Sequence, residues 1–302
     1  MEIKEVAGRT AEMEPLFDFI EADLTAVYGE DAAVGHVAGV RRLAALLPGY
    51  LALDEEVPLG LVLYNQVDGR GRIAFARSLP DRPAILAELM ERAVATMRAR
   101  GAREISADEE YAGQSVATAL SRLGFRASER LNMALTDPLG GAPDWPLGYR
   151  LVNWREELFG PGARVLFASF KDSPDARWDG QLRTPEGAAR VLRSLAEGKY
   201  GPLDSELSFL VFEHRTPCGV ALVTRRPASA GYILAIGITP PYRRRGLGRA
   251  LVQEAAERIR GAGLDRVELT VSADNEDAVR LYSKLGFAVD DRYSVYVWSD
   301  QS

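Results

Sequence analysis

Four arginines and two glycines crowd into seven residues of this chain, Arg243-Arg244-Arg245-Gly246-Leu247-Gly248-Arg249. They follow directly on an apolar run, Ile236-Gly237-Ile238, that ends at Pro240-Pro241. Glycine has no Cβ, so a ligand can lie against the backbone at Gly246 and Gly248. Leu247, Ala250, Leu251, Ala255 and Ile259 carry the 3–4 spacing of one helix face. A helix that starts in this turn offers unpaired N–H groups and the positive end of its dipole, and the arginines add formal charge. The stretch suits a pyrophosphate. About 30 residues further on, Asn275 and Tyr282 lie two turns apart on a second helix that Gly286 closes, roughly 10 Å of rise. An amide and a phenol can therefore face one groove, and a phenol is an acid able to protonate a departing anion.

Each of these features has an ordinary alternative when read singly. The arginines could be a solvated cluster, Asn275 a helix N-cap, and Tyr282 a half-buried aromatic. Their combination favours the ligand site.

The elements that must position these residues repeat along the chain. With 302 residues, 47% hydrophobic and 26% charged, the composition is that of a globular protein of about two domains. A strand at 1–10, helices at 10–28 and 31–47, and strands at 50–53, 59–66 and 72–78 come first. A helix from Pro83 to Arg100, a strand at 103–107, a helix at 115–123 and a strand at 130–136 follow. The proline- and glycine-rich stretch 137–147 reads as a linker. The order then recurs, with Thr184-Pro185 starting a helix, a hairpin over 207–224, and the strand 232–238 that feeds the arginine turn. Shifting the sequence by 162 residues pairs Gly101 with Gly263 and Arg122-Leu-Gly-Phe125 with Lys284-Leu-Gly-Phe287. The chain is read as an internal duplication, with domains at 1–136 and 148–302. The same shift sets Arg243, Gly246, Gly248, Asn275 and Tyr282 against Asp81, Ala84, Leu86, Gly113 and Leu120. The suspected ligand residues belong to the second copy, and the first is expected to be structural.

The bulk numbers exclude several classes. A net charge of −6 leaves no broad basic face for non-specific nucleic-acid binding. The single cysteine, Cys218, can form no intrachain disulfide and sits in a turn-like Thr-Pro-Cys-Gly, which points to a reducing, cytoplasmic setting. His36 and His214 are too few and too isolated for a zinc site, so no metal is expected. No apolar run reaches the length of a membrane span, and the Met1-Glu-Ile-Lys-Glu5 start is not expected to be a signal peptide.

On these residues the chain resembles the GNAT (GCN5-related N-acetyltransferase) superfamily. The acyl-CoA motif Arg/Gln-x-x-Gly-x-Gly/Ala is matched by Arg243-Arg-Arg-Gly246-Leu-Gly248. A second motif is matched by Asn275-x-x-Ala278-x-x-Leu281-Tyr282-x-Lys284-Leu-Gly-Phe287. The match covers about 205–298, and the tandem layout is similar to mycothiol synthase and other two-domain acetyltransferases. The resemblance implies an α/β (α+β) fold of two tandem domains, each a mixed, mostly antiparallel sheet flanked by helices.

It also implies roles. Backbone groups of Ile236, Gly237 and Ile238 would pair with the pantetheine arm of acetyl-CoA, the co-substrate. Arg243, Arg244, Arg245, Gly246, Leu247, Gly248 and Arg249 would hold its pyrophosphate, and Asn275 its pantetheine region. Tyr282 would protonate the leaving thiolate. Many relatives place a basic glutamate on the strand before the turn, but Gly231–Tyr242 contains no acid, which leaves Glu268 on the neighbouring strand as a weak candidate. The implied activity is N-acetylation of a small amine by direct transfer in a ternary complex. The alternative is a non-catalytic acyl-CoA-binding or sensing protein, and a transferase dependent on aminoacyl-tRNA is disfavoured by the intact turn and the acidic balance. Phe170, Asp172, Asp175, Trp178 and Asp179 are the residues that could meet a cationic acceptor. No nucleic-acid or membrane partner is expected, and the assembly is expected to be a monomer or a homodimer.

Overall fold

The computed structural model describes residues 1–6, 10–28, 30–108, 114–137, 141–178, 180–198, 201–226 and 229–300. Compactness divides the chain into one unit of Met1–Ser128 with Ser294–Ser302, and another of Glu129–Tyr293.

The first unit runs β1 (Glu2–Glu5), α1 (Glu14–Tyr28), α2 (Glu30–Leu46), β2 (Gly49–Asp54), β3 (Val57–Val67), β4 (Arg70–Ser78), α3 (Pro83–Ala99), β5 (Glu104–Asp108) and α4 (Gln114–Arg122). Its strands pair in the order of the chain, antiparallel except for β4 against β5. The far side of β5 is taken by the C-terminal strand, with Val295 opposite Asp108 and Ser299 opposite Glu104. The 3–4 spacing of Met13, Leu16, Phe17, Ile20 and Leu24 buries one stripe of α1 and its lead-in turn on one face of the sheet. Leu86, Leu89, Met90 and Leu120 of α3 and α4 bury against the other face. Side chains of this size contribute about 1.5–3 kcal/mol each on full burial.

The second unit begins with β6 (Arg126–Leu135) and β7 (Tyr149–Asn153), followed by α5 (Phe159–Phe170), α6 (Asp175–Trp178) and α7 (Pro185–Ala196). Then come β8 (Phe209–Glu213), β9 (Thr216–Arg226), β10 (Ala230–Ile238), α8 (Leu247–Gly261), β11 (Arg266–Ser272), α9 (Glu276–Lys284) and β12 (Ala288–Ser299). β7 to β10 form an antiparallel run, β10 lies parallel to β11, and β6 closes the sheet antiparallel to β11, with Arg130 opposite Ser272. Helices α8 and α9 cover one face and α5 to α7 the other.

Both sheets are thus mixed and mostly antiparallel, with the same strand order. Each includes the last strand of the other copy. β6 and β12 follow the same Leu-Gly-Phe closure, with Gly124 at φ 84° and Gly286 at φ 92°, so the two strands leave their helices alike.

Thr184 caps α7 as its type predicts, its Oγ1 accepting the Gly187 N–H at 3.1 Å. α6 has no periodicity long enough to announce it. Trp145, in the stretch read as linker, packs on the α8 side and donates its indole N–H to Glu254 at 3.2 Å. Residues 138–140 of that stretch, and Gly113 and Asp179, lie outside the described residues. Among the described residues no helix is long and apolar enough to cross a membrane.

Candidate active site

The site is built where two parallel strands part. β10 and β11 pair from Ala230↔Arg266 to Ile233↔Leu269, and there the pairing ends. β10 carries a bulge between Ile233 and Ala235, then continues against β9 as far as Ile238↔Gly219. A bulge bends the strand that carries it. Ile236, Gly237 and Ile238 therefore present backbone N–H and C=O groups on the side that β11 has left, an edge to which an extended ligand can add.

The strand runs into the arginine turn. Arg244 and Gly246 both adopt left-handed backbone, φ 61° and 84°. Gly246 is the N-cap of α8, and no side chain caps the helix. Its carbonyl accepts the N–H groups of Arg249 at 3.1 Å and Ala250 at 3.2 Å, so the amides before them are not taken by the helix ladder. Gly248 is informative in another way. A methyl group there would meet only Leu281 Cδ2, at an ordinary 3.6 Å, so the protein's own packing does not demand glycine. A close-lying ligand would. Leu247 is buried in the core and supplies only its backbone.

The four arginines do different things. Arg243 donates to Ile238 O at 3.0 Å and Ser169 O at 2.8 Å, tying the end of β10 to the end of α5. Arg245 turns to Tyr149, 3.5 Å away, and Glu213, 3.7 Å away, and lies over the Tyr242 ring. Arg244 points into solvent with Asp277 4.0 Å away, and Arg249 is exposed. Arg244 and Arg249 thus keep their charge available to an anion at the turn.

At the start of α9, Asn275 occupies the N-cap position, but its side chain does not cap the helix. Its amide donates to Asp175 Oδ2 at 3.3 Å. Asp175 is buried, and it also accepts from Ser272 Oγ at 3.0 Å and from Arg130, which in turn donates to Ser272 Oγ at 2.5 Å. Neither Arg130 nor Ser272 stood out in the sequence. Arg130 belongs to β6, the strand that a linear reading gives to the first copy. Two turns into α9, Tyr282 is 8% exposed, its ring tilted against Phe287. Burial first, and the Asp175 carboxylate second, push its phenol above the ordinary tyrosine range, so it holds its proton.

Glu268 sits at the other, closed end of the strand pair, opposite Tyr232. Arg266 donates to its Oε1 at 2.7 Å, and Arg226 lies 3.5 Å from its Oε2. Of the acceptor-side residues, Phe170 lies against Gly237 and Asp172 is exposed beside Lys171. The Trp178 side chain lies outside the described residues. Cys218 is fully buried, and burial pushes its thiol up to about 11, the behaviour of a core residue.

Residues 178–287 match the model of the acetyltransferase (GNAT) family. A mycothiol acetyltransferase of Nocardiopsis dassonvillei is 42% identical over 78 residues, 26% of this chain and 23% of that relative's length. A mycothiol acetyltransferase of Thermobispora bispora is 29% identical over 287 residues, 88% of this chain and 92% of the relative. A GCN5-related N-acetyltransferase from Sphaerobacter thermophilus shares the fold, with a TM-score of 0.69 at 19% identity over 98% of this chain and 95% of that one. The segment that carries the parted strands, the arginine turn and Tyr282 is thus the part of the chain that is similar to the acetyltransferase (GNAT) family.

Proposed function

We propose that the second unit binds acetyl-CoA along the open edge of β10 and transfers its acetyl group to a small-molecule amine, directly and in a ternary complex. The observation that carries this reading is the loss of β10–β11 pairing after Ile233↔Leu269 while β10 runs on to Ile238. The residues present fit the ligand. The edge of Ile236–Ile238 suits an amide-bearing pantetheine arm, and the turn from Arg244 to Arg249 suits a pyrophosphate. Arg243 acts by shaping, since its donors go to Ile238 and Ser169. Asn275 reaches Asp175, which sets the start of α9 and with it the helix that carries Tyr282.

When bound, acetyl-CoA supplies a thioester whose acyl carbon takes the acceptor nitrogen while the C–S bond breaks. Tyr282, kept protonated, is placed to donate to the leaving sulfur, and the proton that the acceptor nitrogen gives up on forming the amide returns through solvent to the phenolate left behind. Direct transfer is supported by Cys218, whose buried, proton-bound thiol is unsuited to carry an acyl group. The small-molecule class of acceptor is supported by the relatives named mycothiol acetyltransferases. Glu268, held by two arginines, is better read as a structural anion than as the base.

That last point favours the second reading, an acyl-CoA-binding protein without turnover. Tyr282→Phe separates the two. Catalysis requires that the variant keep acetyl-CoA affinity and lose the release of thiol from acetyl-CoA in the presence of a panel of primary amines. Equal thiol release from both proteins would remove Tyr282 from the reaction, and none from the wild type would sink the enzyme reading.

A further inference from the structure

Gly237 lies at the middle of the open edge, and its lack of a side chain is forced from one direction. A methyl group there would lie 2.9 Å from Ser169 Cβ, 3.1 Å from Phe170 Cε2 and 3.2 Å from Ser169 Oγ. The last turn of α5 is therefore pressed onto the strand where it has lost β11. Arg243 holds it there through the Ser169 carbonyl. Ser169 is only 6% exposed, and its Oγ has no hydrogen-bond partner. A buried hydroxyl left unpaired is destabilising, and helical serines have an easy alternative in the carbonyl one turn back. A buried, fixed and unpaired donor next to a ligand edge calls for a partner that arrives with the ligand.

We propose that Ser169 donates a hydrogen bond to the acyl carbonyl of a thioester bound along β10, so that it recognises the acyl group rather than the CoA carrier. The inference rests on the acetyl-CoA reading above. The pantetheine arm and pyrophosphate have the strand edge and the turn as their sites, both common to acetyl-CoA and free CoA. The one oxygen that acetyl-CoA carries and CoA lacks is the acyl carbonyl. A donor aimed at it strengthens as negative charge builds on that oxygen during attack, which also makes Ser169 a contributor to turnover.

The test is calorimetric titration of the full chain and of Ser169→Ala with acetyl-CoA and, separately, with CoA. Ser169→Ala is expected to weaken acetyl-CoA about fivefold, the worth of one neutral hydrogen bond of about 1 kcal/mol, and to leave CoA affinity unchanged. Its melting temperature should equal or exceed the wild type's, because an unpaired buried hydroxyl has been removed. Acetyl-CoA affinity unchanged by the substitution would overturn the proposal, as would an equal loss for both ligands. A melting temperature several degrees lower would also overturn it, by showing a structural partner for the hydroxyl. Failure of the wild type to bind either ligand would instead bring down the acetyl-CoA reading on which it rests.

Discussion

The two units contain the same device in two states. In each, a bulged strand parts from its parallel neighbour. β4 leaves β5 after Ile73↔Ala107 with Ala74 bulged, and β10 leaves β11 after Ile233↔Leu269 with Leu234 bulged. Four residues past the last pair, the second unit has Gly237 and the first has Arg77. The Arg77 guanidinium pairs with Asp23 of α1, a charged plug where Gly237 leaves the strand bare beneath Ser169. The connection to the next helix differs too. Residues 239–246 join β10 to α8, whereas only 79–82 join β4 to α3. The arginine turn therefore has no room in the first unit. α3 opens on Pro83, which has no N–H to offer an anion. The bulge and the parted strands are thus common to both units, while the longer connection and the bare strand belong to the second alone.

The sharpest way to break this comparison is to cut the chain. A fragment of residues 148–302 lacks β6, the partner of β11, and should fail to give a cooperative melting transition. A fragment of 126–293 keeps the sheet of the second unit and should melt cooperatively and bind acetyl-CoA. Folding of the first fragment alone would show that β12 can replace β6.

Next in size is Tyr282→Phe, expected to lower turnover about 10²–10⁴-fold at unchanged acetyl-CoA affinity, read by thiol release and titration. Gly248→Leu should weaken acetyl-CoA about 100-fold with little change in melting temperature, because the protein tolerates a Cβ at that position. Arg77→Gly, which clears the first unit's plug, should create no second site, since its short connection remains.

Arg130→Met leaves the Asp175 carboxylate buried without its cation, with Ser272 and Asn275 left to donate to it. It should cost about 3–5 kcal/mol in denaturant unfolding, and Asp175→Leu in the same chain should recover much of that. The smallest effect is on alkaline stability. The Cys218 thiol is raised from 9.0 to about 11, mainly by burial. Its contribution is full below pH 9 and is lost as pH rises toward 11, because the unfolded chain ionises first. In the first unit, burial raises Tyr64 from 10.0 to about 12, and its loss begins about one unit higher. Cys218→Ala should therefore flatten the fall in stability between pH 9 and 11 and leave the later fall in place.

Most of this was legible in the residues. The duplication, the order of elements and the arginine turn all follow from periodicity and from glycines that end helices at Gly124 and Gly286. The exchange of final strands was not. β6 and β12 leave identical closures, and nothing local says which β-edge each will meet. The ungapped shift that set Gly246 against Ala84 also misjudged the turn. The structure matches Gly246, as N-cap, with Arg82, because a four-residue loss in the first copy's loop is half offset by a longer helix. Arg243 read as a phosphate ligand because its sequence neighbours are arginines, and only the packing of α5 on β10 shows its donors turned inward. Asp175 and Arg130 were hidden for the same reason: a buried pair from distant strands and helices has no signature in spacing.

The measurement closest to the central claim is the stoichiometry of acetyl-CoA binding to the full chain by calorimetry, repeated with Gly248→Leu. One site per chain, severely weakened by that substitution, is the result the parted strands and the arginine turn of the second unit predict. Two sites per chain, or one site indifferent to Gly248, would contradict it and place a ligand in the unit where Arg77 stands.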